Sequence, residues 1–261
     1  MKLKLFIVLQ LFIFFTTAVK ADWQAQTSGT TENLFSSYFI NTNTGWVVGA
    51  NGKILFTSNG GTTWGTQTSG TTQTLFDVKF PSALTGYIIG SLNTFLKTTN
   101  GGLNWVSLGV VNMTSTNDLD FADNNTGYVC GADGDVSRTT NGGVNWTKFD
   151  ISSIDLFVIE VLDASTVFAC GISGSVFKTT NSGANWVQQV TGSNNYISSM
   201  VFADNNNGYF TTLGLTEAVF RTTNGGTNWS AVTSPGNTPG LNGLAIVNSS
   251  TVYGAGPEGR I

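Results

Sequence analysis

The stretch RTTNGGVNW, residues 138–146, decides the fold because the chain contains five versions of it. The other four are FTSNGGTTW at 56–64, KTTNGGLNW at 97–105, KTTNSGANW at 178–186 and RTTNGGTNW at 221–229. A tryptophan recurs at intervals of 41, 41, 41, 40 and 43 residues, at Trp23, Trp64, Trp105, Trp146, Trp186 and Trp229. A period of this length is typical of repeat architectures that include β-propellers.

Each repeat contains four short segments with strand-like composition, separated by turns rich in Gly, Asn and Thr. One repeat reads WGTQTSGTT, LFDVKF, GYIIGS and TFLKTTNGG. Four strands per repeat favour β-propeller blades over the shorter coils of a β-helix. We therefore predict an all-β propeller of four-stranded blades.

The C-terminal GPEGRI, 256–261, aligns with GANGKI, 49–54, which continues directly into the first copy of the repeated stretch. This predicts five complete blades and a sixth begun. We expect the sequence to be a fragment of a six- or seven-bladed propeller, with residues 22–261 as the propeller region.

Residues 1–21 predict a secretory signal peptide. They begin with MKLK, continue through an apolar run and end in small residues. The alternative, an uncleaved anchor, is disfavoured because the apolar run is short for a membrane span. We expect an exported protein with no membrane insertion after cleavage.

The charge of the mature chain argues against nucleic acid as a partner. Without Lys2, Lys4 and Lys20, 11 − 3 = 8 basic residues face 15 acidic ones, a formal charge of −7. An acidic, weakly charged surface repels phosphate backbones.

The residues of the repeated stretch suit a locked turn rather than chemistry. Its Asn side chain can accept backbone N–H bonds, its glycines permit positive φ, and its Trp can pack on the strand just completed, with an indole N–H that needs one partner. A second set of apolar residues predicts the inner core: Phe39, Phe80, Phe121, Val161, Phe202 and Ile246. Phe76 and Val78, like Leu119, are expected to share the apolar face of their strands.

Two further features admit a functional and a structural interpretation. Cys130 and Cys170 occupy one repeat position, too far apart in neighbouring blades for a disulfide, and predict buried free thiols.

The loops FADNNTGY (121–128) and FADNNNGY (202–209) resemble calcium loops but lack a closing bidentate acid, so we predict hairpin turns in which Asn and Gly take positive φ, and no metal site.

The repeated stretch resembles the Asp-box, or bacterial neuraminidase repeat, with Asn in the Asp position. The matching structural residues are Asn59, Gly61, Trp64, Asn100, Gly102, Trp105, Asn141, Gly143, Trp146, Asn181, Gly183, Trp186, Asn224, Gly226 and Trp229. The whole unit looks most like the photosystem II stability/assembly factor-like propellers. That resemblance implies a seven-bladed, non-enzymatic propeller without cofactor that holds a photosystem reaction-centre protein during assembly.

The family also implies basic residues near the box. Lys97, Arg138, Lys178 and Arg221 precede the Thr of four boxes, and Phe56 takes this position in the first. They are candidate partner-binding residues for acidic or C-terminal segments of a protein. The alternative is that each pairs with a nearby Asp or covers its own strand.

A sialidase-like glycoside hydrolase is the rival hypothesis, because sialidases carry Asp-boxes. The chain has only Arg138, Arg221 and Arg260 for an arginine triad, no His, and no pair of acids that stands out of the repeat pattern. A carbohydrate-binding role, with Tyr196 as a stacking residue, stays open beside it. We expect a non-enzymatic protein-binding module.

Overall fold

Twenty-two strands account for nearly all the regular structure in the computed structural model, which describes residues 25–111, 113–214, 219–232 and 240–256. The predicted signal peptide, Trp23 and residues 257–261 lie outside the described residues. No helix in the described ranges is long and apolar enough to cross a bilayer.

The strands form five four-stranded sheets and one two-stranded sheet, and within each sheet every strand pairs antiparallel with the next along the chain. Blade 1 comprises β1 (Leu34–Phe39), β2 (Gly45–Gly49), β3 (Ile54–Thr57) and β4 (Gly65–Gln67). Blade 2 comprises β5 (Leu75–Lys79), β6 (Gly86–Gly90), β7 (Thr94–Thr98) and β8 (Val106–Val110). Blade 3 comprises β9 (Asp118–Phe121), β10 (Gly127–Cys130), β11 (Asp135–Thr139) and β12 (Thr147–Asp150).

Blade 4 comprises β13 (Leu156–Val161), β14 (Val167–Gly171), β15 (Val176–Thr179) and β16 (Val187–Gln189). Blade 5 comprises β17 (Ile197–Phe202), β18 (Gly208–Thr212), β19 (Val219–Thr222) and β20 (Ser230–Ala231), and the sixth sheet comprises β21 (Gly243–Asn248) and β22 (Thr251–Ala255). The first strand of each sheet contacts the first strand of the next. The prediction of a β-propeller with five complete blades and a sixth begun is confirmed.

The box turn has the same hydrogen bonds in all five copies. In the first, Thr57 Oγ1 accepts the N–H of Gly61 at 2.9 Å and donates to Asn59 Oδ1, which also accepts the N–H of Thr63 at 2.9 Å. The other copies repeat these bonds at 2.9–3.1 Å. The glycine two residues after the Asn has φ between 81° and 86° in every copy. The predicted locked turn is confirmed.

The core lies between blades, in four apolar clusters that each join one blade to the next. An aromatic residue on the second strand of one blade stacks on the first-strand Phe of the following blade. Trp46 stacks on Phe80 with ring centroids 3.6 Å apart, and Tyr87 stacks on Phe121 at 3.9 Å. Burying such rings stabilises the contact between neighbouring blades.

The predicted core residues differ in burial according to whether a neighbouring blade covers them. Phe80 and Phe121 are buried, and Val161, Phe202 and Ile246 are half-buried. The expectation is wrong at Phe39, which is 44% exposed because no blade within the described residues precedes blade 1 to cover it. Its one ring contact is with Trp64, edge-on at 6.1 Å.

The expectation for Phe76 is also wrong. The pairing of β5 with β6 shifts between Leu75 and Asp77, so Phe76 sits in a β-bulge and leaves the alternation of the strand. Val78 and Leu119 are buried as predicted, whereas Leu75 is buried in place of Phe76, which is 37% exposed.

Indole N–H groups find partners less often than expected. Trp105 Nε1 donates to Gln67 Oε1 at 3.1 Å. Trp186 Nε1 is buried without a partner. The blade that precedes it, blade 3, has Phe149 at the repeat position of Gln67, and a phenylalanine cannot accept the hydrogen bond. Trp229 Nε1 is also unpaired, and Gln189 at the same repeat position donates its amide to Val187 O.

Cys130 and Cys170 are buried and free, as predicted. The loops at 121–128 and 202–209 are hairpin turns in which Asp123 Oδ1 and Asp204 Oδ1 accept backbone N–H groups at 2.7–2.8 Å. Their residues do not take positive φ, which corrects that expectation. Gly127 is required for another reason, since a Cβ there would come within 2.4 Å of the Phe121 ring.

In the four blades whose hairpin between the second and third strands is described throughout, blades 1 to 4, this hairpin has a non-glycine residue at positive φ, and in blade 2 that residue is a bulky leucine. At this left-handed position blades 1, 3 and 4 have Asn51, Asp133 and Ser173, whereas blade 2 has Leu92 at φ 55°. Leu92 is 79% exposed, so it gains little burial in return.

We expect Leu92→Asn to stabilise the protein by about 1 kcal/mol, because Asn adopts the left-handed region at lower cost than Leu. The midpoint of urea unfolding measures this. Leu103→Asn is the matched control, since Leu103 is 81% exposed and has ordinary φ. An equal gain from both substitutions would show that lower surface hydrophobicity, and not backbone strain, is responsible.

Candidate functional site: the central channel and the basic residues

The four basic residues predicted to bind a partner lie at the interfaces between blades. Each sits over the aromatic residue beside it on the second strand, with 5.2–5.9 Å between the cation and the ring centroid. The pairs are Lys97 with Tyr87, Arg138 with Tyr128, Lys178 with Phe168 and Arg221 with Tyr209.

Three of these side chains also reach the box turn of the next blade. Lys97 Nζ donates to Gly142 O at 3.0 Å, and Lys178 Nζ donates to Gly225 O at 2.7 Å. Arg138 makes a longer bond of 3.4 Å to Ser182 O. Burial lowers the pKa of both lysines. In blade 1 Phe56 takes this place and contacts Trp46 at 5.3 Å.

The basic residues therefore have a structural use in the assembly of the propeller. Lys97, Arg138 and Lys178 donate to backbone carbonyls of the neighbouring blade, a partner that the sequence did not indicate. Arg138 and Arg221 each keep a buried Nε without a partner in the described structure. A partner-binding role for the four residues stays a prediction.

A second site lies on the axis, where the first strands converge. A cavity of about 340 Å³, which we call the central channel, is lined by residues of β1, β5, β9, β13 and β17 and by Leu244 of β21. This volume holds roughly eleven water molecules at about 30 Å³ each.

The mouth of the channel carries three phenylalanines delivered by β-bulges. Phe35, Phe76 and Phe157 each occupy the extra residue of a bulge on β1, β5 and β13, and all three line the channel. Phe35 is 55% exposed. Bulges re-aim side chains in this way next to binding sites. Tyr196, the predicted sugar-stacking residue, packs against Phe157 with ring centroids 4.8 Å apart.

The wall of the channel is charged. Asp77, Lys79, Asp118 and Glu160 line it, and Asp120 lies close enough to act on Lys79 and Glu160. Three of the carboxylates accept a backbone N–H from the next blade. These bonds join Asp118 to Ile159, Asp120 to Val161 and Glu160 to Phe202 at 2.8–3.0 Å.

Burial and crowding of like charges set the protonation of these groups. Burial, followed by the Asp120 carboxylate, raises the pKa of Glu160 to about 8. Burial and the Asp77 carboxylate raise the pKa of Asp118 well above its ordinary value. Burial opposes the charge on Lys79, but the surrounding carboxylates outweigh it and raise the pKa of that amine.

Among the described residues no group of three or more acidic, Cys or His side chains has a geometry that holds a metal ion. The channel is a polar cavity with an excess of carboxylates over amines and an aromatic mouth. It can attract a cation, bind an apolar group at the mouth, or exchange protons near neutral pH.

Sequence reasoning missed the channel. The signal was present, because charged residues alternate on one face of otherwise apolar first strands, as Asp77 and Lys79 do and as Asp118 and Asp120 do. The bulges gave no such signal, since a bulge depends on the pairing of two strands.

The comparisons with known proteins agree on the fold. The family model for the photosynthesis system II assembly factor YCF48 matches residues 66–200 and 107–238, together more than half of the chain. No curated protein sequence matches.

Three solved structures illustrate the range of similar propellers. YCF48 bound to D1 peptide is 17% identical with a TM-score of 0.51, covering 88% of this chain and 92% of that one. YCF48 from Cyanidioschyzon merolae is 18% identical with a TM-score of 0.50, covering 86% and 93%. The GH74 enzyme of Niastella koreensis is 18% identical with a TM-score of 0.63, but this chain covers only 38% of it while 76% of this chain is matched. At these identities the structures show the fold alone.

We expect Lys178→Met to lower the free energy of unfolding by about 1.5–3 kcal/mol, because it removes a charged hydrogen bond and leaves Gly225 O without it. Urea unfolding measures the change. Lys53→Met is the control, because the Lys53 side chain makes no hydrogen bond or ion pair within the described ranges. Equal unfolding midpoints for the two variants would contradict the proposed bond between blades.

We expect Glu160→Gln to change the pH dependence of stability. A carboxyl with a folded-state pKa of about 8, above its ordinary 4.5, releases its proton on unfolding between these values, so stability falls as pH rises through that window. Gln keeps an acceptor for Phe202 N–H but does not titrate. The variant should therefore gain in melting temperature relative to the wild type from pH 5 to pH 8.5.

Asp204→Asn is the control for this profile. Backbone N–H groups lower the pKa of exposed Asp204, so its contribution to stability is lost only as pH falls through its acid range. It should leave the slope between pH 5 and pH 8.5 unchanged. Parallel profiles for Glu160→Gln and the wild type would rule out the raised pKa.

Proposed function

The chain belongs to the photosynthesis system II assembly factor YCF48 family, and from that premise we propose that it is an exported, non-enzymatic propeller that binds a segment of a protein partner. The proposed binding surface is the mouth of the central channel, formed by Phe35, Phe76 and Phe157.

The observation that carries this proposal is that phenylalanines on three bulges line one cavity and that two of them, Phe35 and Phe76, are exposed. Exposed aromatic residues that surround a concavity mark interaction sites, since isolated packing gives no reason to leave them in water. One structure of a family member contains a D1 peptide, which supports a peptide as the occupant.

The four basic residues between the blades are a second candidate binding surface on this chain. Their N–H groups are largely used by neighbouring blades, which favours the mouth. The features of residues 1–21 described above support export, and the acidic mature chain supports a partner other than nucleic acid.

A glycoside hydrolase or carbohydrate-binding propeller is the alternative. The observation that favours it is a carboxyl of raised pKa, Glu160, in a cavity with other carboxylates and an aromatic mouth. The scaffold proposal is preferred because Asp118, Asp120 and Glu160 each use an oxygen to hold the next blade. These hydrogen bonds between blades account for the position of the three carboxylates without a catalytic role.

Binding of a fluorescent D1 peptide, followed by anisotropy, tests the proposal. We expect saturable binding that Phe35→Ser with Phe76→Ser weakens roughly tenfold, through loss of buried apolar area. Leu103→Ser is the matched control, an exposed apolar residue on a box turn away from the channel. Arg138→Glu with Arg221→Glu tests the basic surface, with melting temperature recorded because both residues lie at interfaces.

Two outcomes contradict the proposal. Loss of binding in the arginine variant alone, with its fold intact, would move the site to the basic residues. Turnover in a screen of fluorogenic glycosides that Glu160→Gln abolishes would establish the hydrolase instead.

A further inference from the structure

The hairpin between β6 and β7 departs from the pattern of the other blades at two consecutive positions. Blades 1, 3 and 4 follow their left-handed residue, Asn51, Asp133 or Ser173, with a glycine at φ between 65° and 74°. Blade 2 instead has Leu92 at φ 55° followed by Asn93 at φ 56°. A turn with two left-handed residues is least costly as Asn-Gly or Asp-Gly, so the Leu-Asn pair costs more than the pairs in the other three blades.

Hydrogen bonds on both sides hold this strained hairpin in place. Ser91 N–H donates to Thr74 O at 2.8 Å, and Ser91 Oγ accepts the N–H of Thr74 at 3.1 Å. On the other side Asn93 Nδ2 donates to Met113 O at 2.7 Å. Leu92 lies between these anchors and is exposed. The hairpin therefore presents an apolar side chain to water on a fixed backbone.

The connections beside the Leu92 hairpin are uncharged. Residues 68–74 and 111–117 include no Asp, Glu, Lys or Arg. The equivalent hairpins of other blades carry charges, such as Lys53 in blade 1 and Asp133 in blade 3. A charged segment placed over blade 2 would lose hydration without gaining a counter-charge, whereas an apolar one would lose nothing. This surface therefore suits an uncharged occupant.

The hairpin also lies next to the mouth of the central channel. Thr74, which pairs with Ser91, is two residues before Phe76, and two residues of chain span at most about 7 Å. Phe76 is itself exposed and lines the channel. In an extended segment alternate side chains lie on one side, so a single segment of a few residues can contact both Phe76 and Leu92.

We propose that Leu92 is a contact residue for the partner segment, which runs in extended conformation from the mouth at Phe76 over the β6–β7 hairpin and buries an uncharged apolar side chain on Leu92. This rests on the proposed function because the same segment occupies the mouth. Leu92 costs the isolated fold backbone strain and leaves an apolar side chain in water. Strain of this kind is retained at binding sites, and a partner that covers the side chain recovers part of the cost.

The substitution Leu92→Asn separates binding from stability, because it should improve one and impair the other. We expect a higher midpoint of urea unfolding, together with roughly tenfold weaker binding of the fluorescent D1 peptide through loss of apolar contact. Leu92→Met keeps the apolar contact and should bind within about twofold of the wild type. Leu103→Asn is the matched control and should leave the affinity unchanged. Unchanged affinity in Leu92→Asn would overturn the proposal.

Substitutions in the peptide test whether the contact is direct. Each apolar residue of the D1 peptide is replaced by Ser in turn, and its affinity is measured with the wild type and with Leu92→Asn. The residue that packs on Leu92 should weaken binding to the wild type and have little further effect on the variant, since contacting residues are not additive. Additive effects at every position would contradict a contact at Leu92.

The failure of this inference is distinguishable from failure of the proposed function. Binding that Phe35→Ser with Phe76→Ser weakens and Leu92→Asn leaves unchanged would refute this inference alone. The reverse pattern would remove the mouth from the proposed function and leave the contact at Leu92 standing. Absence of peptide binding by the wild type would refute both. Co-sedimentation with phosphatidylcholine vesicles that Leu92→Asn abolishes, with peptide binding unchanged, would assign Leu92 to a lipid surface instead.

Discussion

The contact between the second strand of one blade and the first strand of the next is the constraint on which the rest of this propeller depends. A four-stranded sheet cannot bury its faces alone, so each blade is stable only against a neighbour. The first-strand Phe lies on a glycine of the adjacent strand, as Phe121 lies on Gly127, and receives the ring from the preceding blade. In blade 4 the first-strand Phe and the glycine paired with it are replaced together. There Val161 replaces the Phe and Val167 replaces the glycine, at paired positions.

The box turns depend on the same contact. Their Thr and Asn side chains close the turn internally, and the turn then presents a carbonyl to the basic residue of the preceding blade, as Gly225 O does to Lys178. That basic residue in turn lies over the ring that stacks on the next blade. One motif thus fixes a hairpin and links two blades. The motif is repeated because the hairpin of each blade needs the same turn, and the link from a basic residue to the next blade is made at three interfaces.

The sequence predicted what repetition makes visible and missed what depends on pairing between elements. The blade architecture, the locked turns and the free thiols followed from residues that recur at fixed spacing. Phe76 was assigned to the core because strict alternation was assumed, and a single bulge reversed its direction. Phe39 was assigned to the core by analogy with its repeats, yet burial there requires a blade on its other side. The basic residues were identified, but their carbonyl partners lie more than 40 residues away and leave no local signal.

The axis of the propeller is where the repeats are free to differ. Residues at the blade interfaces must match their neighbours, and they vary little between blades. The first-strand position that faces the axis holds Lys79 in blade 2, Asp120 in blade 3, Glu160 in blade 4 and Val201 in blade 5. Stability alone does not account for this choice, because a ring of apolar residues would fill the axis without the cost of burying charge. Charged groups are costly to bury, and these differ between otherwise similar repeats. A function specific to this chain is therefore expected at these residues, and the phenylalanines that line the same cavity are where a partner would make contact.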